Sequence, residues 1–324
     1  VAGQLWAYNS LGGFFYSLNL SEELREALQP MVRFRQFCDV KDASQQGKGK
    51  GQIFTWDVVG NVQTAGGTLV ETNTMPETQF TITQATLTIN EYGNSVPYSG
   101  KLEALSKFEV RKPVMQALRN DAVKTFDRAA WAQFNNTLLR VVPASGGTST
   151  SSLTLTTNGT VTGTNNIAFQ KEHAKLVVDL MKERNIPAYS GDDYVAIAWP
   201  TTLRRLKTDL EQLHIYTEAG IQLIFNAEIG RYENVRYVEQ TNIPKGISSD
   251  GGLTGTPWAS GNDWIFFFGE DTVGEGVAVP EEMRAKIPTD YGRSKGVAWY
   301  YLGGFGIVHT TASESRIVKW DSAA

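Results

Sequence analysis

The sequence predicts a mixed α+β fold, and three observations predict it. Two strand-like segments, one starting near Ile53 and the other ending near Ile89, are joined by a polar, glycine-containing reach. A long amphipathic helix follows, entered through Pro113. Beyond it, short strand-like runs alternate with helices as far as the C-terminus. With 324 residues, 41 % of them hydrophobic, the chain can build one large domain or two modest ones.

Residues 1–50 read as an arm. Ser21 caps a short helix, Glu22 and Glu23 occupy its first turn where the helix dipole favours them, and Pro30 stops it. The run Gly47-Lys48-Gly49-Lys50-Gly51 has little to bury. The first ribbon strand then puts Phe54, Trp56 and Val58 on one face and Ile53, Thr55, Asp57 and Val59 on the other. The return strand carries Phe80 and Ile82 in one phase and Ala85, Leu87 and Ile89 in the other, which predicts a bulge or twist near Gln84. Gly60, Gly66, Gly67, Asn73 and Pro76 mark a projecting tip. An isolated two-stranded ribbon is marginal in water, so its apolar faces require cover from another chain.

The helix is expected over Pro113 to Leu139. Val114, Met115, Leu118, Ala122, Phe126 and Ala129 share one arc, while Asn120, Asp121, Lys124, Asp127 and Arg128 lie opposite as the solvated side. Trp131, Phe134 and Leu138 leave that arc, so the C-terminal half is covered on more than one side. Residues 144–166 turn to Ser, Thr, Gly and Asn, and Asn158-Gly159 between alternating residues predicts a small exposed hairpin. A second amphipathic helix runs from Ile167 to Arg184. Strands follow at Tyr194–Trp199, Asn234–Glu239 and Trp264–Phe268, with a short helix after Pro200 and a last, aromatic and glycine-rich strand at Gly296–Val308.

Composition narrows the chemistry. A formal net charge of −4 argues against a surface tuned as a whole to nucleic acid or an anionic membrane. Cys38 is the single cysteine, which excludes an intrachain disulfide and a cysteine-based metal cluster. No apolar run approaches the about 18 residues that span a bilayer, and a soluble chain of cytoplasmic origin is expected. Gly292-Arg293-Ser294-Lys295-Gly296 fits the nucleophile-elbow pattern by letter. That elbow needs a strand before it, a helix after it, and an acid ahead of a histidine; no Asp or Glu lies between Ser294 and His309. His173, His214 and His309 are too dispersed for a local metal site, and His173 belongs on a helix face with Phe169, Leu176 and Leu180 as a core or interface group. Adjacent Asp192 and Asp193 point apart in an extended chain, and Glu281 and Glu282 are read as flanking a short helix after Pro280. The Gly47–Gly51 run satisfies no phosphate-loop pattern. The eight tryptophans and twelve tyrosines are spread through every segment, as core and interface residues are. No catalytic group, metal or cofactor is assigned.

The order of parts resembles the major capsid proteins of tailed bacteriophages with the Hong Kong 97-type fold. FTWDVVGNV at Phe54–Val62, LVETNTMPET at Leu69–Thr78, GNSVPYSGKLEALSK at Gly93–Lys107, AEIGRYENVRYVE at Ala227–Glu239 and DYGRSKGVAWYYLGGFGI at Asp290–Ile307 are similar to the capsid family of the enterobacterial phage N-four and its podovirus relatives. The resemblance implies an N-terminal arm at 1–50 and an extended β-hairpin loop at 51–98 that lies across a neighbouring subunit. It implies a peripheral domain at 99–186 with its spine helix at 113–139, an axial domain at 187–274, and a return to the peripheral domain at 275–324. Phe54, Trp56, Val58, Phe80 and Ile82 are then inter-subunit contacts of the loop. The implied partners are copies of the chain itself in hexameric and pentameric capsomers, a portal, scaffold or decoration proteins, and packaged double-stranded DNA held without sequence-specific binding, with no membrane. The implied place is the virion shell, assembled in the bacterial cytoplasm. Covalent cross-linking, known in some members, is assigned here to no pair of residues. An encapsulin-like compartment holding cargo enzymes keeps the same fold, and a serine hydrolase using Ser294 and His309 is the remaining enzyme reading.

Overall fold

The computed structural model describes residues 29–43, 51–62, 66–106, 109–143, 153–160, 167–214, 231–243, 263–288 and 290–322. The expected helix capped by Ser21, the Lys48–Lys50 run and the hairpin strand around Val161 lie outside the described residues. Seven strands form one mixed sheet, in spatial order β6 (Leu153–Thr156), β5 (Leu139–Pro143), β13 (Ile317–Ser322), β10 (Asp263–Phe268), β7 (Tyr194–Ala198), β9 (Val235–Glu239) and β8 (Arg231–Tyr232). Within it β5 runs parallel to β13 and β7 parallel to β9. A second sheet of four strands has the order β1 (Asp39–Asp42), β11 (Val273–Ala285), β12 (Ser294–Ile307) and β4 (Asn90–Ser99). The ribbon is a sheet of its own, β2 (Ile53–Val62) against β3 (Phe80–Thr88).

Four α-helices and a single 3-10 turn at Arg35–Phe37 complete the described chain: α1 (Gly100–Leu105), α2 (Arg111–Asn135), α3 (Lys171–Glu183) and α4 (Arg204–His214). The period of two along the buried strands divides the interior of the large sheet into two layers. Phe266 and Phe268 of β10, Val195 and Ile197 of β7 and Ile317 of β13 face α2, beside Trp131 and Phe134. Their alternates Ile265, Phe267, Ala196, Val318 and Trp320 face the other way, toward Val177 of α3 and Leu206 of α4. Helix α2 spans both sheets: Phe126 meets Tyr301 at 4.6 Å between ring centroids, and Phe134 meets Phe268 at 5.1 Å. At 25 residues and about 1.5 Å rise each, it is roughly 37 Å of beam.

Several expectations need correction. The long helix ends at Asn135, not Leu139, because Leu139 begins β5. Pro113 is the third residue of α2, still within the first turn where its missing N–H is harmless. Asp127, expected on the solvated side, is fully buried. No helix follows Pro280; residues 273–285 are one strand, with register shifts around Val279 that accommodate the proline. Leu153–Thr156 pairs with β5 and so joins the large sheet, and Gly159 turns with φ +76°, while the strand expected after that turn lies outside the described residues. The ribbon has continuous register past Gln84; the extra residue sits opposite, between Val59 and Val62. No described helix is long and apolar enough to cross a membrane.

Candidate assembly interface

The ribbon has one covered face and one open face. Phe54, Trp56 and Val58 sit opposite Leu87, Ala85 and Thr83, and this side turns toward the four-stranded sheet of the same chain. The sheet makes room with two cross-strand glycine pairs, Gly274 with Gly306 and Gly276 with Gly304. A side chain at Gly274 would overlap the Trp56 ring, and one at Gly276 would meet Leu87 at 3.2 Å. Leu87 and Ile89 are buried there with Ala43 and Ala278. Farther out, Thr83 Oγ1 donates to Glu314 Oε2 at 3.3 Å, which ties the ribbon to the turn before β13. The expectation that both faces await another chain is therefore corrected: the root of one face is closed intramolecularly.

The other face has no such cover. Val59 is 67 % exposed, Phe80 55 % and Ile82 57 %, and Ile53 and Val62 stand beside them equally open. Antiparallel pairing sets Val59 against Ile82 and Val62 against Phe80, so these form one contiguous apolar strip. The tip adds exposed Leu69, Val70 and Met75. Of the five predicted contact residues, Phe80 and Ile82 lie on the open strip, whereas Phe54, Trp56 and Val58 are half-buried on the body side. Sequence phase separated the two sets correctly but not which set the chain covers for itself.

The arm joins the body just below the ribbon. Asp127 of α2 accepts hydrogen bonds from Phe34 N at 2.7 Å and Arg35 N at 3.3 Å. Burial pushes the Asp127 carboxyl upward, opposed by its bonds to Asn242 and to the arm backbone. Arg35 grips buried Glu275 at 2.8 Å and lies 4.4 Å from the centre of the Phe126 ring. Tyr301 donates to the same Glu275 at 2.9 Å. This network fastens the start of the described arm to β11, β12 and α2 at once.

The catalytic alternatives do not assemble. Ser294 opens strand β12 and accepts from Lys286 Nζ at 2.6 Å. His309 follows the far end of that 14-residue strand, whose length is roughly 48 Å at about 3.4 Å per residue, and lies 3.4 Å from Asp271. His173 is buried, accepts the Gln170 N–H at 3.1 Å and stacks 4.8 Å from Trp320, a helix-capping core group whose basicity burial lowers. Asp193 is held by Arg231 at 2.7 Å and Arg236 at 2.9 Å. Among the described residues no group of three or more His, Cys, Asp or Glu is placed to hold a metal.

A ribbon that exposes apolar surface, a helical beam and two sheets in this order define a class of shell-building coat subunits. Solved phage capsids share the fold. The capsid of cyanophage P-SCSP1u superposes with a TM-score of 0.66 at 14 % identity over 95 % of this chain and 93 % of that one. The capsid of Ralstonia phage GP4 gives 0.65 at 13 % over 99 % and 98 %, and the head of Helicobacter pylori bacteriophage KHP40 gives 0.66 at 13 % over 94 % and 95 %. No curated protein sequence matches the chain. The family described as phage capsid protein matches residues 83–319, and the chain belongs to that family. It is a structural protein that forms the capsid shell of the virion, not an enzyme.

Proposed function

We propose that this chain is the major capsid protein of a tailed phage with the Hong Kong 97-type arrangement, of the kind found in phage N-four and its podovirus relatives. Residues 51–98 act as the extended loop, 99–186 as the peripheral domain with α2 as spine, 187–274 as the axial domain, and 275–324 as the return to the peripheral domain. Subunits close into hexamers and pentamers that enclose double-stranded DNA, with a portal at one vertex, and they assemble in the host cytoplasm. The observation that carries this reading is the apolar strip of Val59, Val62, Phe80 and Ile82, which stays more than half exposed among the described residues. Contiguous exposed apolar surface of this kind marks an interaction site. Each copy gives a ribbon and receives one, a heterologous contact that closes into a ring.

The test is to express the chain alone and measure sedimentation, with electron microscopy of the fast fraction. Hollow particles, or rings of five and six, are expected. A compact monomer that persists under crowding and with a phage scaffold would overturn the reading.

A further inference from the structure

Ribbon and body differ in charge. From Gly51 to Gly100 the chain has no Lys or Arg, yet it holds Asp57, Glu71, Glu77 and Glu91. The tip, residues 66–79, is exposed throughout and sets Glu71 and Glu77 among Leu69, Val70 and Met75. The body carries cations that make no ion pair, near a groove whose charged lining, Arg33 and Arg35 against Asp127 and Glu275, is balanced. A groove of about 440 Å³ lies between segment 32–40 and the outer side of α2, with Val32, Cys38, Val40 and Val123 along it and Arg33 beside them. Val40 and Val123 are open to solvent. The two carboxylates in the groove are already engaged, Asp127 by the arm backbone and Glu275 by Arg35 and Tyr301. One turn before Val123 on the same helical stripe stands exposed Arg119, and about two turns earlier again exposed Lys112. Among the described residues Arg33, Arg119 and Lys112 make no ion pair.

We propose that the ribbon tip of one copy seats in this groove on a second copy. Leu69, Val70 and Met75 lie against Val40 and Val123, and Glu71 and Glu77 meet Arg33 and Arg119. The inference rests on the loop reading above and adds the receiving surface and its sign. A tip with two acids and no cation is repelled by its like and attracted by an apolar-floored groove flanked by Arg33 and Arg119, so charge selects the partner surface and the register on it. Such contacts weaken as salt rises.

Two experiments on the full chain test it. Glu71→Lys with Glu77→Lys, and separately Arg33→Glu with Arg119→Glu, are each expected to lower shell yield about tenfold or more. All four changes together are expected to restore it, which no purely structural role of either pair would produce. In a Cys38→Ser background, Val70→Cys with Val123→Cys is expected to give interchain disulfides on oxidation, seen as dimers and longer ladders on non-reducing gels. Charge pairs that assemble normally, a combined variant no better than its parents, or shells that stay monomeric on the gel would each remove the groove assignment, the last also if residues 1–28 fill the groove instead. Loss of shells in Phe80→Ala with Ile82→Ala alongside normal assembly of the charge variants would leave the loop standing and remove only the groove. Normal assembly of both sets would remove the loop itself.

Discussion

Lys319 is a lysine in an aromatic interior. It is 1 % exposed, its Nζ lies 3.7 Å from the centre of the Trp264 ring, and it donates to Asn135 Oδ1 at 2.7 Å. Asp321 stands 3.5 Å away but is shared with Arg140 at 3.1 Å. Burial pushes the ammonium down to about 7, with Asp321 opposing. The unfolded chain keeps its lysine near about 10.4. Below pH 7 both states carry the proton; between pH 7 and 10 only the unfolded state does, so stability rises with pH across that window, by at most about 1.4 kcal/mol per unit. Lys319→Met is expected to flatten that slope in denaturant titrations at pH 7 and 9 while leaving the fold intact, and an unchanged slope would refute this origin. Asp127 gives a second residue-scale expectation. Asp127→Ala orphans the buried Phe34 N–H and should cost about 1–3 kcal/mol in urea unfolding. Neither role was legible in the sequence, because helical periodicity places Asp127 among Asn120, Lys124 and Arg128. Nothing local indicates that a segment more than 90 residues earlier closes over it.

At the scale of elements, legibility followed periodicity. The ribbon strands and α2 emerge from their alternation and their arc, and β7, β9, β10 and β12 from compact apolar runs. Strand β13 did not emerge, since all six of its residues are buried although Lys319, Asp321 and Ser322 read as a solvated segment. Strand β11 was hidden by Pro280, which reads as a breaker unless a bulge takes it, as the register shift at Val279 does. The ribbon's extra residue lies on β2 and not near Gln84 of β3, because the change of apolar phase along β3 is a change of face with no bulge in it. The two phases are the two faces, and this separates two double variants. Phe80→Ala with Ile82→Ala removes side chains already exposed, so monomer stability should move within about 0.5 kcal/mol while shells disappear. Phe54→Ala with Trp56→Ala empties the seat over Gly274 and Gly306, so thermal unfolding should fall by the equivalent of about 2–4 kcal/mol. Shells of normal yield from the first pair, or an unmoved unfolding temperature in the second, would contradict the assignment of faces.

For the molecule as a whole, charge is arranged for contact between copies more than for holding polyanion. The sum is −4, and residues 51–100, the ribbon with β4, carry acids and no Lys or Arg. Many of the body's cations are engaged with neighbouring carboxylates, among them Arg35 with Glu275, Arg140 with Asp321 and Arg231 and Arg236 with Asp193. Affinity for a DNA backbone grows with the number of phosphates neutralised and falls steeply with salt in proportion to that number. A subunit of this composition is expected to neutralise few, which under the proposed function lets packaged DNA move without adhering to the wall. Purified subunits are therefore expected to bind linear double-stranded DNA weakly, with a shallow slope of log affinity against log salt and no retained complex near physiological ionic strength. A steep slope, reporting six or more phosphate contacts per subunit, would mean that a basic inner surface forms only when copies come together, and the electrostatics of the shell would then have to be sought in the assembled ring instead of in the single chain.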